Sequence, residues 1–122
     1  MDIETSLKSA MAIDGAIGAA LVDYESGMAL GTAGGGRFLN LELAAAGNTE
    51  VIRAKLRTIE SLDLGDDIED ILITLGKQYH LIRLLRTERS SALFLYLALD
   101  RAKANLALAR HELRRIENSV DF

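Results

Sequence analysis

The stretch EDILITLGKQYHLIRLL, residues 69–85, places two runs rich in Ile and Leu on either side of Gly76-Lys77. That pattern reads as an antiparallel hairpin closed by a two-residue turn of the Gly-X kind. Counting outward from the turn sets Asp70 opposite Arg83 and Asp67 opposite Arg86. Two opposite-charge pairs from one register support the turn, and each adds about 0.2–1 kcal/mol to the pairing. The same count puts His80 opposite Ile73.

Outward from this hairpin, residues 93–99 are apolar at every position, as a central strand covered on both faces requires, and residues 17–22 read likewise. Residues 28–33, with their glycine and threonine, suit one sheet edge, and the acidic strand with Glu69 and Asp70 suits the other. Glu25-Ser26-Gly27 joins the first two strands through a short loop whose glycine can take a left-handed conformation. Ile3, Leu7, Ala10 and Met11 recur at helical spacing and form a first helix ended by Asp14-Gly15. A last helix over residues 100–117 takes Asp100 as its N-cap and turns Ala102, Leu106, Ala109, Leu113 and Ile116 inward. Arg110, Arg114 and Arg115 complement the negative end of its dipole, and Ser90-Ser91 reads as a turn. The order helix, two strands, helix, three strands, helix defines an α+β fold with an antiparallel sheet between helical layers.

The composition agrees with one domain over residues 1–122: 49% hydrophobic, 26% charged, and no proline-rich or polar linker. The chain has no cysteine, so neither disulfides nor thiolate metal sites are available, which fits a reducing compartment. Met1-Asp2-Ile3-Glu4 carries acid where a secretory signal needs basic residues, and residues 92–99 fall far short of the roughly 20 residues that span a bilayer. A soluble, cytoplasmic protein is expected. The net charge of −4 argues against general nucleic-acid binding.

Residues 38–62 form the most informative helix. Leu41, Ala45, Ile52, Leu56 and Ile59 fall on one core-facing stripe. Beside it, Ala44, Gly47, Val51, Ala54 and Thr58 make a second stripe of small residues, with Asn48 and Lys55 in the gap. Both stripes could lie in one broad groove of the subunit. Alternatively, one packs on the sheet and the other on a partner, most simply a second copy across a two-fold axis.

Catalytic and ligand-binding motifs are incomplete. Gly31-Thr32-Ala33-Gly34-Gly35-Gly36 lies between strand and helix, the context for a phosphate loop, but Arg37-Phe38 stands where a P-loop needs Lys and then Ser or Thr. It reads as a flexible connection crossing the sheet edge. Glu60, Asp63, Asp66, Asp67, Glu69 and Asp70 lack the spacing of a calcium loop and read as a solvated loop with cross-strand pairs. His80 and His111 share no motif with a nucleophile or a second metal ligand, so no metal, no cofactor and no enzyme activity are expected. Arg83, Arg86 and Arg89, with Arg110, Arg114 and Arg115, are the basic groupings, and few aromatics accompany them for base stacking.

Residues 13–23 (IDGAIGAALVD), Ser26-Gly27, the alanine-rich second helix, Gly76-Lys77 with Tyr79, the apolar fifth strand, and Asn105-Leu106 through Arg110 and Leu113 together resemble the roadblock/dynein light chain family, in the style of its actinobacterial members. The resemblance spans nearly the whole chain. It implies a profilin-like layout with strand order 2-1-5-4-3. It further implies a dimer in which the second helices pack together and the third strands meet edge to edge, bringing Ile71 and Ile73 to the seam. Members of the family bind or regulate Ras-like small GTPases or serve as scaffolds. By position, the GTPase would meet the side of the second helix carrying Glu42, Thr49, Glu50, Arg53 and Arg57. A homodimeric, non-enzymatic GTPase regulator is therefore expected. A sensory module holding a small ligand between sheet and helix is the alternative.

Overall fold

The computed structural model describes residues 1–86 and 92–121. Its elements are α1 (Ile3–Met11), β1 (Ala16–Asp23), β2 (Met28–Gly34), α2 (Leu41–Ser61), β3 (Asp70–Thr74), β4 (Gln78–Leu85), β5 (Leu93–Asp100) and α3 (Leu106–Ser119). The strands form one antiparallel sheet in the order β2-β1-β5-β4-β3. The two strands with unbroken apolar sequence are inside the sheet and the two weaker ones are its edges, as their composition anticipates. Arg89 and the Ser90-Ser91 turn lie outside the described residues.

Strand alternation divides β5 between two cores. Leu93, Leu95, Leu97 and Leu99 face α1 and α3, where Leu7, Ala10, Ala109, Leu113 and Ile116 meet them. Phe94, Tyr96 and Ala98 face α2 and meet Leu41, Ala45 and Ile52. No residue of Leu93–Leu99 is exposed beyond 6%, because helices cover both sides of this strand.

The register of the second hairpin matches the count from the sequence: Asp70 pairs with Arg83 and Ile73 with His80. Asp67 and Arg86 lie beyond the ladder yet still meet at 3.7 Å. The turn itself departs from the expected Gly-X type, since Gly76 is not among the glycines with positive φ. Leu75 N donates to Gln78 O at 2.9 Å, while Leu75 O accepts from Arg101 Nη1 at 2.7 Å. An outside guanidinium thus meets a carbonyl that the turn's own N–H would satisfy in a tight type II′ hairpin.

The last helix starts later than its sequence suggests. Asp100 ends β5 and organises a turn, its Oδ1 accepting from Ala102 N at 3.0 Å and its carbonyl from Lys103 N and Ala104 N. Ala102 is therefore exposed rather than inward. Asn105 is the N-cap, its Oδ1 accepting from Leu108 N at 3.0 Å. Asp and Asn both cap well, and the four residues between them decide which one starts the helix. The second helix likewise begins at Leu41 rather than at residue 38, because Asn40 caps it.

Candidate functional site

Helix α2 has 21 residues and is about 31 Å long. Asn40 Oδ1 accepts from Leu43 N at 3.0 Å, and Glu42 in the first turn suits the positive end of the dipole. Leu41, Ala45 and Ile52 are buried against the sheet, and Leu56 and Ile59 are half-buried on the same core.

The second stripe does not lie inside the fold. Gly47, Val51, Ala54 and Thr58 are exposed, Val51 by 38%, and only Ala44 is half-buried. A Cβ added at Gly47 would meet no atom within 4 Å. Glycine costs a helix interior about 1 kcal/mol relative to alanine, and no close contact within the chain offsets that cost at Gly47. The reading with both stripes in one intramolecular groove is thereby overturned.

Of the residues assigned from the sequence to the outward flank, Thr49 is committed inward and Arg53, still partly exposed, is tied to a neighbouring loop. Thr49 is 1% exposed, and its Oγ1 donates to Ala45 O at 2.7 Å. Its methyl and hydroxyl sit beneath Gly27, about 3.9 Å from where a Cβ there would stand. Thr49 falls four residues after Ala45 and three before Ile52, so helical spacing puts it in the core stripe. Its hydroxyl is tolerated there because the i−4 carbonyl satisfies it. Arg53 donates through Nη2 to Glu25 O and pairs through Nη1 with Glu50 Oε1 at 3.3 Å. It fastens the β1–β2 loop to α2. Of the flank, Glu42, Glu50 and Arg57 remain exposed.

Beside the small-residue stripe, α2 and the chain leading into β3 enclose an open groove of about 740 Å³. Val51 and Lys55 line one wall, and Ile68, Ile71 and Arg86 line the other with Asp66, Asp67, Glu69 and Asp70. Two residues singled out separately in the sequence, Val51 on the helix and Ile71 on the edge strand, thus share one surface. Ile73 is half-buried on the α2-facing core, and Gly47, Ala54 and Thr58 continue the helix face outside the groove. Among the described residues, no group of three or more His, Cys, Asp or Glu side chains is placed to hold a metal ion.

A polar cluster that the sequence reading did not assemble lies under α2. Tyr96 hydroxyl and His80 Nδ1 are 3.1 Å apart, and His80 Nε2 is 2.8 Å from Gln78 Oε1. The two rings meet edge to face at 5.4 Å. Burial pushes the Tyr96 phenol up to about 12 against the smaller opposing effect of a hydrogen bond with Asn48. Burial lowers the pKa of His80, which favours the neutral ring. The strand register offered the signal: His80 pairs with Ala98 and Ile82 with Tyr96, so His80 and Tyr96 are diagonal neighbours on one face.

An α+β sandwich with this strand order, one long helix on one face and two helices on the other, is the roadblock/LC7 fold. No family model matches the sequence, and no curated protein matches it. Solved structures do. The chain is similar to the roadblock/LC7 domain from Streptomyces avermitilis, with a TM-score of 0.80 at 14% identity over 98% of this chain and 95% of that one. It is also similar to Myxococcus xanthus MglB, with a TM-score of 0.75 at 17% identity over 93% and 84% of the two chains. MglB in a tetrameric arrangement gives a TM-score of 0.76 at 17% identity, covering 95% and 82%. At these identities the likeness is one of fold. Among the described residues, no helix is long and apolar enough to cross a membrane.

Proposed function

We propose that this chain is a homodimeric adaptor that regulates a Ras-like small GTPase and performs no chemistry of its own. The observation that carries the reading is the exposed stripe Gly47, Val51, Ala54 and Thr58, which lies on the longest helix beside the open edge strand β3. Small side chains let a second helix approach closely, and a two-fold axis supplies that helix from another copy. Ala44 borders the same stripe, and Ile71 and Ile73 extend the surface across β3.

The fold likeness supports the reading in two ways. One of the similar structures is an MglB in a tetrameric arrangement, so this fold does self-assemble. The resemblance to the roadblock/dynein light chain family supplies the GTPase as the outside partner. Glu42, Glu50 and Arg57 are the exposed charges left on the flank to receive it. Arg53 acts there through position rather than as an inserted finger, since its guanidinium is engaged by Glu25 and Glu50.

Sedimentation equilibrium tests the first half: a dimer is expected, and a strict monomer at high micromolar concentration sinks it. For the second half, the protein is titrated with a purified Ras-like GTPase from the same genome, loaded with GDP or with a non-hydrolysable GTP analogue. Nucleotide-dependent binding supports the reading. Equal or absent binding in both states across the genome's Ras-like GTPases counts against it.

A further inference from the structure

Strand β2 is a sheet edge of unusual composition, Met-Ala-Leu-Gly-Thr-Ala-Gly, without a single charge to discourage pairing. A bulge opposite Leu21 and Val22 leaves Leu30 without a pairing partner, and the regular ladder resumes from Gly31. Gly35 N donates to Ile17 O at 2.8 Å, so by alternation Ala19–Ala33 and Leu21–Gly31 are the hydrogen-bonded pairs. The N–H and C=O of Thr32 therefore point out of the sheet.

Thr32 is also where two open cavities meet. One, of about 340 Å³, runs along Met28, Ala29 and Gly31, and the other, of about 320 Å³, runs along Gly34 and Gly36 to Arg37. Glu42, in the first turn of α2, lines both. It has no ion-pair partner among the described residues. Glu42 is the one charged side chain lining the first cavity, and Arg37 marks the far end of the second.

An outward main-chain pair flanked by a trough specifies an extended backbone as its occupant, and an unpaired carboxylate on the wall specifies a cation. We propose that the β2 edge is a strand-addition site for an extended peptide segment of a partner, uncharged except for one Lys or Arg placed to meet Glu42. The site is separate from the α2 seam and stands without it.

The test uses isotope-labelled protein and three synthetic eight-residue peptides of alternating Val and Thr. One carries a central Lys, one a central Glu, and one is the Lys peptide N-methylated at alternate residues. The expected result is amide shifts at residues 30–34 and 42 with the Lys peptide, at least about threefold weaker binding of the Glu peptide, and loss of binding on N-methylation. The E42K variant should reverse the preference between Lys and Glu. The proposal is overturned if no peptide shifts these amides, if N-methylation is harmless, or if E42K leaves the preference unchanged. Concentration-dependent shifts of the same amides without peptide would also overturn it, by naming a second copy as the occupant.

Discussion

Arg83 Nε and Glu117 Oε1 lie 2.9 Å apart, joining the middle of β4 to the C-terminal end of α3 with both side chains about nine-tenths buried. The other carboxylate oxygen of Glu117 accepts from Arg86 N at 3.1 Å. Arg110 Nε meets Asp70 Oδ2 at 3.1 Å from the same helix. The second hairpin is thus held to α3 by charge, where the sequence offered only the cross-strand oppositions Asp70–Arg83 and Asp67–Arg86.

Truncating Glu117 leaves a buried guanidinium without its main partner. Glu117→Ala should cost about 3 kcal/mol, and exchanging both Arg83 and Glu117 for apolar residues of similar size should cost much less than the two single losses summed. Urea denaturation of the two singles and the double checks this. Additive losses would show that the pair is not coupled.

The His80 site makes stability depend on pH with a definite sign. Its pKa is lowered in the folded chain by burial, so the unfolded chain binds the proton more readily. The contribution is fully present above the ordinary value of 6.5 and is lost as pH falls through that value towards the folded pKa. Between pH 7.5 and 5.5 the urea midpoint should fall in the wild type and fall less in His80→Gln. Tyr96→Phe should cost about 1–2 kcal/mol at pH 7.5, because Nδ1 loses its donor. Equal pH profiles for wild type and His80→Gln would refute the assignment.

The glycine run before α2 is not a uniformly flexible tether. At Gly35, with φ of +80°, an added Cβ would stand 2.7 Å from Leu39 O, whereas at Gly36, with φ of +56°, it would meet nothing within 4 Å. Gly36→Ala should therefore cost only the left-handed penalty of about 1–2 kcal/mol, and Gly35→Ala distinctly more. Thermal unfolding of the two variants compares them, and the reverse order would contradict the geometry.

The sheet was readable because its evidence is local: a two-residue gap fixes a register, and an unbroken apolar run fixes a central strand. The last helix was misread because Asp100 and Asn105 are both competent caps, and choosing between them needs to know where β5 ends. At the candidate surface, the small stripe on α2 was legible from spacing alone. Thr49 was misassigned because its type suggested exposure while its spacing placed it in the core. The tie of Arg53 to the β1–β2 loop was not legible because its acceptor is a main-chain carbonyl 28 residues away, which no side-chain pattern records. The His80–Tyr96 contact crosses two strands and becomes visible only once β4 and β5 are aligned.

A charge placed in the small stripe separates self-association from folding. Ala54 is exposed in the protomer, so Ala54→Arg should leave the urea midpoint within about 0.5 kcal/mol of the wild type. If α2 packs on its own copy, the same change forces a guanidinium against a helix that approaches closely only because its side chains are small, and the species in sedimentation should become a monomer. Arg57→Glu, on the flank, should leave the dimer intact and weaken binding of the GTPase. An Ala54→Arg protein that remains dimeric would place the seam elsewhere. An Arg57→Glu protein that binds the GTPase unchanged would move the outside partner off this flank.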